Sequence, residues 1–222
     1  MATRNLPMWH RMQATERLRN ATPKHKAMKR RKLTYHPLSP SQWDDFEALF
    51  GPRGACGGCW CMVWRLPRKQ WEQQKGDGNR KAMQGLVKSG AEPGILAYDG
   101  DKPIGWCSVA PREDFVGLER SRVLRPIDAQ PVWSVSCLFV AKDYRRIGVS
   151  IGLLRAAIEH VKENGGKIVE GYPVEPYTDT MPAVFAWTGT LAAFKRAGFT
   201  EAARGSLSRP IMRYVIRRGK KS

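Results

Sequence analysis

The sequence predicts a single α/β (α+β) domain, and three observations carry the prediction. A chain of 222 residues suits one sizeable domain better than two. Two β-prone runs, Ile95–Tyr98 and Ile104–Val109, flank the turn Asp99-Gly100-Asp101-Lys102-Pro103 and read as a hairpin. The apolar stretch Val132–Val140 then leads through a short polar turn into the strongest helical pattern of the chain, Ser150–Asn164.

In chain order, the first folded element begins at Ser39-Pro40-Ser41-Gln42. There Ser39 caps, Pro40 suits the first helical position and Gln42 completes a capping box. Trp43, Phe46, Leu49 and Phe50 recur at helical spacing until Gly51. Pro67 to about Lys75 and Asp77 to about Ser89 also read as helical, with Met83, Leu86 and Val87 on the buried side of the second. After the hairpin, residues 111–131 are rich in Arg and Pro without clean periodicity, so they form a long connection with about one helical turn.

Val132–Val140 reads as the central strand. The helix after it carries Ile151, Leu154, Ile158 and Val161 on one face, places His160 off that stripe at the surface, and stops at Gly165-Gly166. Lys167–Glu170 is a short strand, 171–186 a Pro-rich loop, Thr188–Ala197 a last helix ended by Gly198, and Ile211–Ile216 a closing strand.

Charge divides the chain. The net charge is +18, of which residues 1–32 supply half through ten Lys and Arg against one acid; the remaining 28 bases face 19 acids. Residues 1–32 are therefore a basic extension expected to be disordered, 33–217 the folded domain and 218–222 a basic tail. A basic arm can hold nucleic acid through its phosphates, which makes a nucleic-acid-binding protein the alternative functional class. The arm lacks the apolar stretch of a secretory signal, and no apolar run reaches the roughly 18 residues of a membrane span. A cytoplasmic protein with no membrane partner is the expectation.

Five cysteines without a secretory signal point to reduced thiols. Cys56, Cys59 and Cys61 have C-x2-C-x-C spacing and could supply three zinc ligands, but a structural site takes four, and no fourth is evident. Buried thiols packing a loop beside Trp60 and Trp64 are the preferred reading, with no metal expected.

The chemistry concentrates in the turn Ala141-Lys142-Asp143-Tyr144-Arg145-Arg146-Ile147-Gly148-Val149-Ser150. A helix entered from a strand exposes unpaired backbone N–H groups at the positive end of its dipole, which is an anion site. Gly148 lets backbone approach a phosphate, Ser150 keeps the entrance open, and Lys142, Arg145 and Arg146 add positive potential.

Leu138-Phe139-Val140, followed by Arg145-Arg146-Ile147-Gly148-Val149-Ser150 and Ile151-Gly152-Leu153-Leu154, resembles the cofactor motif Arg/Gln-x-x-Gly-x-Gly/Ala of the GCN5-related N-acetyltransferase (GNAT) family. Ser150 departs from its last position. The order of elements from about residue 34 to residue 217 is also similar, including Ala192–Phe199. The resemblance implies a mixed, mostly antiparallel sheet that splays after the central strand, with helices on both faces and acetyl-CoA as cosubstrate in the opening. It further implies that Leu138, Phe139 and Val140 line the cofactor, with backbone groups of Leu138 and Val140 bonding the pantetheine arm and orienting the acetyl carbonyl. The amides of Arg145, Arg146, Ile147, Gly148, Val149 and Ser150 would hold the pyrophosphate. The reaction implied is direct attack of a primary amine on the thioester in a ternary complex.

The family often has a tyrosine four residues before the Gly-Phe that ends the late helix, where it protonates the leaving thiolate; here that residue is Phe194. Tyr172 and Tyr177 are the hydroxyls nearby in sequence, and Glu175, Glu113 and Asp114 are the carboxylates that could act as base; Glu175 and Tyr172 are the catalytic candidates. The acceptor would be a small-molecule or peptide amine. Acids at Glu113, Asp114, Glu119, Asp128, Glu175 and Asp179 hint at a cationic one. A monomer or homodimer is expected.

Overall fold

The fold is that of a computed structural model, in which residues 32–175 and 186–217 are described. The basic extension apart from Lys32, the tail 218–222, Tyr177 and Asp179 lie outside these residues.

The strands are β1 (Leu33–Pro37), β2 (Gly94–Asp99), β3 (Lys102–Pro111), β4 (Trp133–Val140), β5 (Ile168–Gly171), β6 (Thr200–Ser206) and β7 (Arg209–Val215). Among the described residues they form one sheet in the order β1-β2-β3-β4-β5-β7-β6. The β4–β5 pair is parallel and the others antiparallel, so the sheet is mixed, with β4 at its centre. The helices are α1 (Trp43–Phe50), α2 (Arg68–Gln73), α3 (Asp77–Lys88), α4 (Val116–Glu119), α5 (Val149–Glu163) and α6 (Leu191–Ala197).

Strand alternation puts a core on each face. Ile95 and Ala97 of β2 join the core beneath α5 and α6, with Leu153, Leu154, Ala157 and Phe194. Leu96 and Tyr98 join the opposite core beneath α1 and α3, where Phe46 meets Trp106 edge-on at 4.8 Å between centroids. A third cluster, Phe115, Leu118, Leu124, Tyr172 and Ile211, seats the connection 111–131 on the sheet. The capping box forms as the sequence predicts, with the Ser39 N–H donating to Gln42 Oε1 at 3.3 Å.

Three features depart from the sequence reading. Two strands were not anticipated, β1 and β6; the first ends at a proline, and the second, Thr-Glu-Ala-Ala-Arg-Gly-Ser, is polar and exposed along nearly its whole length. A polar edge strand takes its pairing from its neighbour, here β7, and its charges discourage pairing with another chain. His160, expected at the surface, is 4% exposed, because the Trp133 ring covers it edge-on at 5.8 Å.

Candidate active site

The site begins with an irregularity in β4. Ser108 pairs with Cys137 and Val109 with Val135, so Ser136 is an extra residue with no partner opposite it on β3. Such a bulge bends a strand, and β4 keeps its partner β5 only over Trp133–Val135. Beyond Val135 the two strands part. The hydroxyls of Ser136 and Ser108 hydrogen-bond each other at 3.1 Å at the bulge, both buried.

The gap opens into a cleft of about 530 Å³ lined by Leu138, Phe139 and Val140 on β4, by Tyr144, Arg145, Arg146, Val149 and Ser150 on the turn, and by Cys56 and Trp187 from elsewhere in the chain. The structure thus brings seven of the nine sequence-selected cofactor residues onto one cavity. Ile147 and Gly148 complete the same turn without lining that cavity; Ile147 is 43% exposed.

The turn takes its form from two left-handed residues, Arg146 at φ 66° and Gly148 at φ 93°, the latter immediately before α5. A left-handed arginine costs about 1–2 kcal/mol, and strain of this kind concentrates at ligand-binding turns. Nothing of the protein lies within 4 Å of the position a Gly148 Cβ would take, so the space beside the helix entrance is open. Two side chains brace the turn: Arg145 Nε donates to the Val140 carbonyl at 3.0 Å, and the Tyr144 hydroxyl donates to Asp99 Oδ2 at 3.1 Å. An open helix entrance with arginines beside it fits a diphosphate, and the apolar strand end fits an alkyl arm.

The proposed acid–base groups lie apart from this lining. Tyr172 is 1% exposed, and its hydroxyl contacts Ser134 Oγ at 2.8 Å, Glu170 Oε1 at 2.8 Å and Arg112 Nη1 at 2.6 Å. Burial, with the Glu170 carboxylate adding to it, raises its pKa far above the usual phenol value. Glu175, partly exposed, is ion-paired with Arg204. Phe194 is fully buried and meets Phe199 edge-on at 4.9 Å.

The acids of the connection 111–131 are mostly engaged: Asp114 pairs with Arg65, Glu119 with Arg112 and Asp128 with Arg213, while Glu113 is exposed. The hint of a cationic acceptor therefore loses most of its footing.

The cysteines divide. Cys56 is exposed on the cleft, whereas Cys61 is buried and accepts from Trp106 Nε1 at 3.1 Å. Cys59 is pushed up to about 11 by burial and by Cys61 next to it, and Cys107 and Cys137 are raised as well. Among the described residues no group of three or more His, Cys, Asp or Glu is arranged to hold a metal ion.

Residues that the sequence did not assign to this cleft include Tyr144, Cys56, which it offered only as a zinc ligand, and the segment Ala186–Thr190. That segment fills the gap between the parted strands. Gly189 O accepts from Val174 N at 3.0 Å beyond β5, and the Leu138 N–H on β4 donates to the Trp187 carbonyl at 2.6 Å. No periodicity marks such a contact in advance, because it depends on the bulge at Ser136.

The family model described as "Acetyltransferase (GNAT) family" matches residues 60–181, which is 122 residues and more than half the chain. The chain belongs to the GNAT acetyltransferase family. It is therefore an acetyltransferase, and its acyl donor is acetyl-CoA. Among solved structures, a GNAT-family acetyltransferase from Streptococcus agalactiae has the same fold at TM-score 0.50 and 10% identity, covering 84% of this chain and 96% of that one. A PaiA N-acetyltransferase from Thermoplasma acidophilum in complex with coenzyme A aligns at TM-score 0.48 and 12% identity, over 83% and 99% of the two chains. YncA from Salmonella typhimurium, a putative acetyltransferase with acetyl-CoA, aligns at 0.48 and 11%, over 85% and 96%. No curated protein matches the sequence significantly. Among the described residues of this GNAT acetyltransferase, no helix is long and apolar enough to cross a membrane.

Proposed function

We propose that this acetyltransferase moves the acetyl group of acetyl-CoA onto a primary amine by direct attack within a ternary complex. The observation that carries the reading is the junction of β4 and α5. There the left-handed Arg146 and Gly148 open the helix entrance onto the same cavity that Leu138, Phe139 and Val140 line. The amides from Arg145 to Ser150 hold the pyrophosphate, and the strand end holds the pantetheine arm and the thioester.

Transfer needs the amine to lose a proton and the thiolate to gain one. Glu175 is the proposed base. It stands on the loop that follows β5, ion-paired with Arg204. Tyr172, offered as the acid, has its hydroxyl held by three partners, which suits it better to fixing β5 against Ser134 of β4 than to reaching a thiolate. The acceptor is a small-molecule or peptide amine.

Thiol release from acetyl-CoA, followed across a panel of amines, amino acids, polyamines, aminoglycosides and peptides, tests the reading. It predicts release that depends on one class of amine, with an acetylated product of matching mass. Release that is independent of every amine, or acetylation of hydroxyls instead, overturns it.

A further inference from the structure

The cofactor reading gives the backbone groups of Leu138 and Val140 together to the pantetheine arm and the acetyl carbonyl, yet in this structure the Leu138 N–H already has an acceptor. The Trp187 carbonyl lies 2.6 Å from it. This contact is built into the chain. Gly189, at φ 86°, brings the segment so close to β4 that a Cβ there would lie 2.8 Å from both Leu138 Cδ1 and Phe194 Cε2. Gly189 N donates to Ala186 O at 2.8 Å, closing a tight turn around Trp187, and Gly189 O is tied to Val174 on the far side of the gap. The indole of Trp187 stacks on Trp64 at 5.9 Å and 29°, which anchors the turn from a third side.

We propose that of these groups the Leu138 N–H takes the acetyl carbonyl, leaving the pantetheine arm to Val140, and that the Trp187 carbonyl is its built-in stand-in, so that an acyl-CoA must displace the Ala186–Gly189 turn from Leu138 whereas CoA need not. The inference rests on the cofactor reading above. One N–H makes one strong hydrogen bond, and a thioester oxygen placed on Leu138 excludes the Trp187 oxygen from it. The free thiol of CoA has no carbonyl to compete, so after transfer the turn closes again on Leu138 and removes one of the contacts that held the donor. Acyl-CoA and CoA are thereby told apart by a backbone exchange rather than by a side chain. The displaced Trp187 must also leave its stack on Trp64, which supplies an optical signal.

The experiment is tryptophan fluorescence of the full chain titrated with acetyl-CoA and, separately, with CoA, alongside calorimetry of the same titrations. The proposal expects a change with acetyl-CoA that CoA does not reproduce. In Trp187→Phe, which keeps the carbonyl, that difference should vanish while acetyl-CoA still binds. Gly189→Ala, which crowds the turn away from Leu138, should raise affinity for acetyl-CoA relative to CoA by about fivefold, the worth of one hydrogen bond. If Gly189→Ala fails to fold, the fluorescence comparison in the wild-type chain decides alone. Equal fluorescence changes from two ligands that both bind by calorimetry overturn the proposal and leave the cofactor reading standing. Absence of acetyl-CoA binding by calorimetry overturns both.

Discussion

Glu170 Oε2 accepts from Arg213 Nε at 2.6 Å in the interior of the sheet, where β5 runs between β4 and β7. The other carboxylate oxygen of Glu170 lies 3.3 Å from Arg112 Nη1 and accepts from the Tyr172 hydroxyl at 2.8 Å, while Asp128 and Glu119 complete the two arginines from outside. One buried carboxylate thus joins β5, β7 and the connection 111–131 on the side of the sheet away from α5. It holds β5 where the cleft begins.

Glu170→Gln should destabilise the protein by about 1.5–3 kcal/mol, because two largely buried guanidinium groups lose their shared charged acceptor and keep only the partly exposed Asp128 and Glu119. Urea denaturation measures this. Arg204→Ala, which removes a half-exposed pairing with Glu201 and Glu175, should leave the midpoint nearly unchanged. Equal losses for the two variants contradict the assignment of the buried network as the structural one.

His160 links stability to pH. Burial lowers its pKa below the ordinary 6.5, with Glu92 and Glu163 opposing more weakly. The folded chain then stays neutral at this site while the unfolded chain takes up a proton, so stability is full above about pH 7 and falls as pH drops through 6.5. Denaturation midpoints between pH 8 and pH 5.5 should show this fall, and His160→Phe should flatten it. A slope that is the same in the variant contradicts the account.

Thiol chemistry should separate the five cysteines. Cys56 is exposed on the cleft, whereas burial and the neighbouring Cys61 hold Cys59 and Cys107 as unreactive thiols, and Cys61 together with burial does the same for Cys137. Brief alkylation of the native protein, read by mass spectrometry, should mark Cys56 first, and saturating acetyl-CoA should slow it because Cys56 lines the cavity proposed for the cofactor. Unprotected alkylation of Cys56 in the presence of bound donor contradicts the placement.

Glu175→Gln should lower kcat by about a hundredfold or more and leave the KM for acetyl-CoA unchanged, as loss of a general base does. Steady-state kinetics with the acceptor found by the amine panel checks this. An unchanged kcat removes Glu175 from the mechanism.

The parts of the fold that the sequence revealed are those with strong local patterns. The hairpin Gly94–Pro111, the strand ending at Val140 and helix α5 each carry periodicity or a turn signal, and the strand-to-helix turn between the last two followed from their order. Strand β6 was illegible because its seven residues carry no large apolar side chain and take their conformation from β7. The bulge at Ser136 was illegible because Val-Ser-Cys reads as ordinary strand, and its consequences, the parting of β4 from β5 and the Leu138–Trp187 contact, were hidden with it. His160 was misplaced because its burial comes from Trp133, 27 positions away, and not from its own helix.

The central claim is that the turn from Arg145 to Ser150 holds the donor. Calorimetry of acetyl-CoA binding to the wild-type chain and to Gly148→Glu tests it most directly. Glutamate there imposes a strained φ of 93° and sets a carboxylate beside the helix entrance. The account predicts one-to-one binding to the wild type and none detectable to a folded Gly148→Glu, whose fold is confirmed by an unchanged circular dichroism spectrum. Equal affinity of the two proteins for acetyl-CoA would contradict it.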